Sequence, residues 1–107
     1  MGEREAKLTG ASTARAEGLV EELRPLGEVS SRKMFGGHGV FCGGVMFALV
    51  DSDGDSFVRV DDDFRAELEA QGSTSHGRMP YMSVHSSDEA LLALAGRSLE
   101  IARAARR

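Results

Sequence analysis

The residues best able to do chemistry are few and spread along the chain: Cys42, the three histidines His38, His76 and His85, and the acidic run Asp51-Ser52-Asp53-Gly54-Asp55. Cys42 lies four residues after His38, a pair that suggests a thiol with its general base, or two ligands of one metal ion. Both fall on a segment that reads as a strand, where residues four apart share a face but stand about 13 Å from each other. They can neither exchange a proton directly nor share an ion, and a metal site would need His76 or His85 to fold in beside one of them. The apolar and glycine neighbours of Cys42 suit a small buried thiol, which is inert.

The acidic run echoes the opening of a calcium-binding loop. Such a loop wants glycine at its sixth position and glutamate at its twelfth, where this chain has Ser56 and Asp62. An acidic hairpin turn is the better reading. Gly36-Gly37-His38-Gly39 follows a strand but leads into another strand, so no helix N-terminus is offered to a phosphate. No catalytic, cofactor-binding or metal-ligating residue is assigned. Arg32, Lys33, Arg59 and Arg78 remain, either as a recognition patch for an acidic partner or as solvent-facing strand residues.

The elements that must position these residues follow from periodicity. Residues 1–11 are polar and aperiodic, which predicts a flexible N-terminus, with a single domain over 12–107. Ser12 or Thr13 is placed to cap a first helix. Its apolar face is Ala16, Leu19, Val20, Leu23 and Leu26, and Pro25 with Gly27 stops it. The period then changes to two. Strands are predicted at 29–35, 38–42, 45–50 and 57–60, joined by turns at Gly36-Gly37, Gly43-Gly44 and the acidic run. Asp61 or Asp62 caps a second helix that turns Phe64 and Leu68 inward and ends at Gly72. A loop over 73–80 precedes a fifth strand at 81–85. Ser86 with Glu89 forms a capping box for the last helix. Its two adjoining stripes are Leu91, Leu94, Ser98, Ile101 and Ala105, and Leu92, Ala95, Leu99 and Ala102.

The order α-β-β-β-β-α-β-α predicts an α+β domain, with helices laid on an antiparallel sheet of about five strands. Strict alternation along 45–50 points Val45, Phe47 and Leu49 one way and Met46, Ala48 and Val50 the other. Both faces are apolar, so both must be covered. The second cover is expected to be a second copy of the chain, making a homodimer, or a helix or loop of the same chain.

The 107 residues are 41% apolar and 28% charged, with net charge −4. That balance fits one globular domain and gives no positive footprint for binding nucleic acid directly. There is no apolar run near 18 residues, and the start lacks the apolar core of a signal peptide. A lone cysteine suits a reducing compartment, so a cytoplasmic location is expected.

The block 32–41, Arg-Lys-Met-Phe-Gly-Gly-His-Gly-Val-Phe, resembles the N-terminal domain of the TfoX/Sxy competence regulators. Three further blocks follow in register: Gly44-Val45-Met46-Phe47-Ala48, Val58-Arg59-Val60-Asp61-Asp62, and Gly77-Arg78-Met79-Pro80-Tyr81-Met82-Ser83-Val84. The resemblance runs from about Leu19 to about Ala105. It implies a two-layer fold similar to secretion-chaperone-like domains, which associate in pairs. It also implies a non-enzymatic, regulatory role through protein–protein interaction, with no cofactor. Full-length relatives are positive regulators of competence genes and work with a transcription factor of the cyclic-AMP receptor type.

The candidate interaction residues are therefore Arg32, Lys33, Met34, Phe35, Gly36, Gly37, His38 and Gly39, with Met46, Phe47, Arg59, Arg78, Pro80 and Tyr81. The competing expectation is a small-molecule-binding or enzymatic domain. Its pocket would lie between the Gly36–Gly39 turn and the Met79–Tyr81 loop, lined by His38, Arg78 and Tyr81.

Overall fold

The computed structural model describes residues 8–106 apart from 35, 86 and 87. The readings of residues 1–7, of Phe35 as a strand end and of Ser86 as a cap lie outside the described residues. The elements run π-turn (Leu8–Ser12), α1 (Thr13–Glu22), a 3-10 turn (Arg24–Leu26), β1 (Val29–Met34), β2 (Gly37–Cys42), β3 (Val45–Val50), β4 (Ser56–Arg59), α2 (Asp62–Ala70), β5 (Tyr81–Val84) and α3 (Asp88–Ala105). The five strands form one antiparallel sheet in the order β1-β2-β3-β4-β5, which makes the protein an α+β domain as its pattern predicts.

Local chemistry accounts for most boundaries. Pro25 sits in the 3-10 turn, and Gly27 follows at φ 139°, a backbone value that side chains disfavour. Gly43 and Gly44 take φ 59° and 84°, the two positive angles of a type I′ hairpin turn. Asp61 caps α2, its Oδ1 accepting the Phe64 N–H at 2.8 Å. The other end of α2 closes with Gly72 at φ 94°, where Ser73 N–H donates to the Leu68 carbonyl and Gly72 N–H to that of Glu69. That pairing is a Schellman stop.

One capping reading is corrected. Ser12 has helical backbone angles and makes no side-chain cap bond. The π-turn carries the helical path back past it, so it is no longer at an end. Its hydroxyl is fully buried and lies 2.9 Å from His38 Nδ1.

The helices lie on one face of the sheet. Leu19 and Leu23 come from the α1 side, Phe64 and Leu68 from α2, and Leu91, Ala95, Leu99 and Ala102 from α3. They close over Val40, Cys42, Phe47, Val58 and Met82. The buried line of α3 draws on both of its predicted stripes, and Ala105 is exposed.

The strict alternation expected along β3 does not hold. Val40 pairs with Ala48 and Phe41 with Met46, which leaves Phe47 as the extra residue of a β-bulge. Phe47, Ala48 and Val50 therefore all join the helix-side core, with Val45 packed against it. Leu49 and Met46 belong to a second cluster with Phe57 and Tyr81.

That second cluster is covered by the chain's own 72–80 loop. Ser75 bridges to Met82, Ser83 N–H donates to the Thr74 carbonyl at 2.8 Å, and the His76 ring meets Phe57 edge-on at 4.8 Å. Of the two covers that the apolar second face called for, a loop of the same chain is present.

Candidate functional site

The glycine-rich block forms the β1–β2 corner, and each glycine there has its own reason. Gly36 turns the chain at φ 78°. Gly37 is the first residue of β2, paired with Met34, and a Cβ on it would collide with the Val50 carbonyl oxygen. Gly39 has methionine sulfurs stacked over it. A Cβ there would lie 2.5 Å from Met34 Sδ, 3.0 Å from Phe41 Cε1 and 3.1 Å from Met46 Sδ. Gly37 and Gly39 are thus sites of close approach, and Gly36 is a turn position.

His38 lies in the same corner, only 6% exposed, against Ser12. Burial pushes its pKa down, Lys33 lowers it further, and Glu17 opposes them weakly. The ring is held neutral beside a hydroxyl. Cys42 is buried and directs its thiol to the Leu26 carbonyl at 3.7 Å, which is no arrangement for a nucleophile and its base.

The carboxylates of Asp51, Asp53 and Asp55 gather within 4.8 Å of one another. Asp51 Oδ1 accepts the N–H groups of Asp53 and Asp55, both at 2.9 Å, so this group builds its turn, as the sequence suggests.

The four basic residues do not form one patch. Arg32 and Lys33 are exposed neighbours on β1 that point to opposite faces of the sheet. Arg32 stacks on the Phe41 ring at 4.9 Å. Arg59 lies three strands away on β4, about 14 Å across the sheet, half-buried, with its guanidinium 6.0 Å from the Tyr81 ring. Arg78 is exposed in the turn between His76 and Met79. Among the remaining candidates, Phe47 is fully buried core, Pro80 accepts the Val60 N–H at 2.9 Å, and Tyr81 is 4% exposed. Burial raises the Tyr81 pKa, against the pull of Arg59.

Two concavities border β1, one toward each end. A cavity of about 180 Å³ lies between the sheet and the 72–80 loop, lined by Met34, His38, Met46, Leu49, His76 and Met79 among others. An open groove of about 500 Å³ runs along β1, between Glu17, Val20 and Glu21 of α1 and Val29, Ser30 and Ser31. Among the described residues β1 pairs only with β2, so its outer edge keeps unpaired backbone groups. The opposite edge, β5, is engaged by Thr74 and Ser75.

The Ser12–His38 contact was not visible in the sequence. The cavity lies where the competing expectation put a pocket, between the Gly36–Gly39 corner and the segment that carries Met79, and His76 is the histidine that folds in there. Among the described residues, no helix is long and apolar enough to cross a membrane.

The chain matches the family model of the TfoX N-terminal domain over residues 21–104. A search of curated proteins finds no significant match. The chain belongs to the TfoX N-terminal domain family, which is not a known enzyme family.

Proposed function

We propose that this protein is a non-enzymatic regulatory domain that works by binding a protein partner along the free edge of its sheet. The observation that carries the reading is β1: a six-residue edge strand, open on its outer side and flanked by a groove against α1. An exposed edge of this kind accepts an added strand, with backbone hydrogen bonds giving affinity and flanking pockets giving selectivity. Arg32 and Lys33 stand on that edge and supply charge for an acidic partner segment.

The family resemblance makes a transcription factor of the cyclic-AMP receptor type the first partner to seek, and a transcriptional role in the cytoplasm the setting. A second copy of the chain can occupy the same edge, which is how we place the homodimer. A net charge of −4 argues against direct contact with DNA.

The competing small-molecule reading draws support from the cavity beside the Gly36–Gly39 corner. Its lining includes His38 but neither Arg78 nor Tyr81. At about 180 Å³ it is smaller than the clefts of roughly 300–1,000 Å³ that take drug-sized ligands. Cys42 is no part of that lining, since it packs in the helix-side core, so the cavity has no thiol beside its histidines, which further favours the partner-binding reading.

Capture from a native lysate of the host, with the protein and its R32E/K33E variant as baits, tests the proposal. The protein should retain a transcription factor that the variant loses, while thermal unfolding changes little, since both positions are exposed. Equal retention by both baits would refute β1 as the docking edge.

A further inference from the structure

We infer that the cavity between the sheet and the 72–80 loop is a site for a single soft monovalent metal ion, copper(I), held by the thioethers of Met34, Met46 and Met79 and the imidazole of His76. All four residues line that cavity, and they come from two independent pieces of the fold. Met34 and Met46 rise from β1 and β3 on the same sheet face. Their sulfurs lie 2.5 and 3.1 Å from the position a Cβ would take on Gly39, so both occupy the space that this glycine leaves vacant. His76 and Met79 descend from the covering loop, joined by the Met79 N–H donating to the His76 carbonyl at 3.1 Å.

The imidazole supplies a second, separate indication. Among the described residues His76 Nδ1, which is buried, has no hydrogen-bond partner, while the ring is set edge-on against Phe57. A buried polar nitrogen left unpaired is costly and calls for a ligand.

Donor type selects the ion. The wall also includes Asp51, whose Oδ1 is taken by the Asp53 and Asp55 N–H groups. The three thioethers, soft and neutral, prefer copper(I) to zinc, calcium or magnesium, which look for thiolate, carboxylate or carbonyl donors. The cavity is too small for most organic ligands but ample for one ion. Met79, 38% exposed, lies at its mouth and can swing to admit the ion. The one cysteine does not compete from within, since Cys42 faces the helices on the other side of the sheet.

The full chain is titrated without oxygen with copper(I) against a chromophoric chelator, and in parallel with silver(I), an air-stable stand-in. Methionine methyl resonances are followed by NMR. One equivalent should bind. Shifts should be confined to Met34, Met46 and Met79 and the His76 ring, leaving Met82 on the helix side unmoved. The M34L/M46L/M79L variant, which keeps side-chain volume, should lose at least tenfold in affinity with unfolding midpoint preserved, and C42A should bind as the parent does. If the leucine variant fails to fold, H76F alone should show the loss. No displacement of the chelator, or binding that survives in the leucine variant and disappears in C42A, would overturn the assignment.

Discussion

Gly37 and Gly39 alternate on one strand and face different obstacles, which gives them different mutational costs. A methyl group on Gly39 meets the ends of two flexible methionines and one ring edge, so Gly39→Ala should cost about 1–3 kcal/mol as the thioethers part. On Gly37 it meets the backbone of Val50, which cannot swing aside. Gly37→Ala should therefore be the more destabilising, and urea unfolding of the two variants checks the order. His38 makes a second prediction. Its pKa is lower in the folded state than the ordinary value of 6.5, through burial first and Lys33 next. Above that value both states carry a neutral ring and the group contributes nothing. As the pH falls below it, the unfolded chain takes up the proton first, and stability is lost down to the folded pKa. Chemical denaturation at pH 7.5 and 5.5 should show a larger loss for the parent than for His38→Gln. The burial of His38 was not legible, because a histidine on an apolar strand reads equally as ligand, base or core residue. Ser12 was misread for a related reason: serine favours caps, but nothing in the local sequence shows that a π-turn continues the helical path before it.

The elements themselves were largely written in the chain. Turn glycines and the Asp61 cap set boundaries that the structure reproduces within a residue: β2 begins at Gly37 rather than His38, and β4 at Ser56 rather than Phe57, whereas α1 already ends at Glu22 and Pro25 and Leu26 fall in the 3-10 turn beyond it. Asp61 carries the start of α2 through a bond of 2.8 Å. Asp61→Ala should cost about 1 kcal/mol in thermal or urea unfolding, and an unchanged midpoint would show that the cap is dispensable. The bulge in β3 was not legible. Six consecutive apolar residues carry no polar alternation, so the pattern fits a regular strand and a bulged one equally. Its effect is large, since it moves Phe47 to the same side as Ala48 and Val50. The 72–80 loop was hidden differently. Its residues are mostly exposed, as its polar composition suggests, but Ser73 and Thr74 also tie it to Ser83 at 2.8 and 3.0 Å, which no local pattern shows.

At the scale of the molecule, the radius of gyration of 13.2 Å is that of a compact domain of this length. Helices close one face of the sheet and a loop covers the second cluster on the other, and among the described residues the outer edge of β1 is left without a strand partner. Family membership could be read from four short blocks, whose glycines serve either as close-approach positions (Gly37, Gly39) or as positive-φ turns (Gly36, Gly44, Gly77). The partner proposed for that edge could not, because the unpaired backbone groups of an edge strand are common to every sequence. Arg32 and Lys33 were singled out as a basic pair, but their placement on opposite faces of an open edge needed the fold.

The most direct measurement is amide hydrogen exchange across β1, with and without the partner captured from lysate. Docking along the edge predicts that the amides of residues 29–34 slow on binding, in alternation along the strand, while those of residues 72–80 exchange as before. Protection on α3 or the loop, with β1 unchanged, would contradict the account.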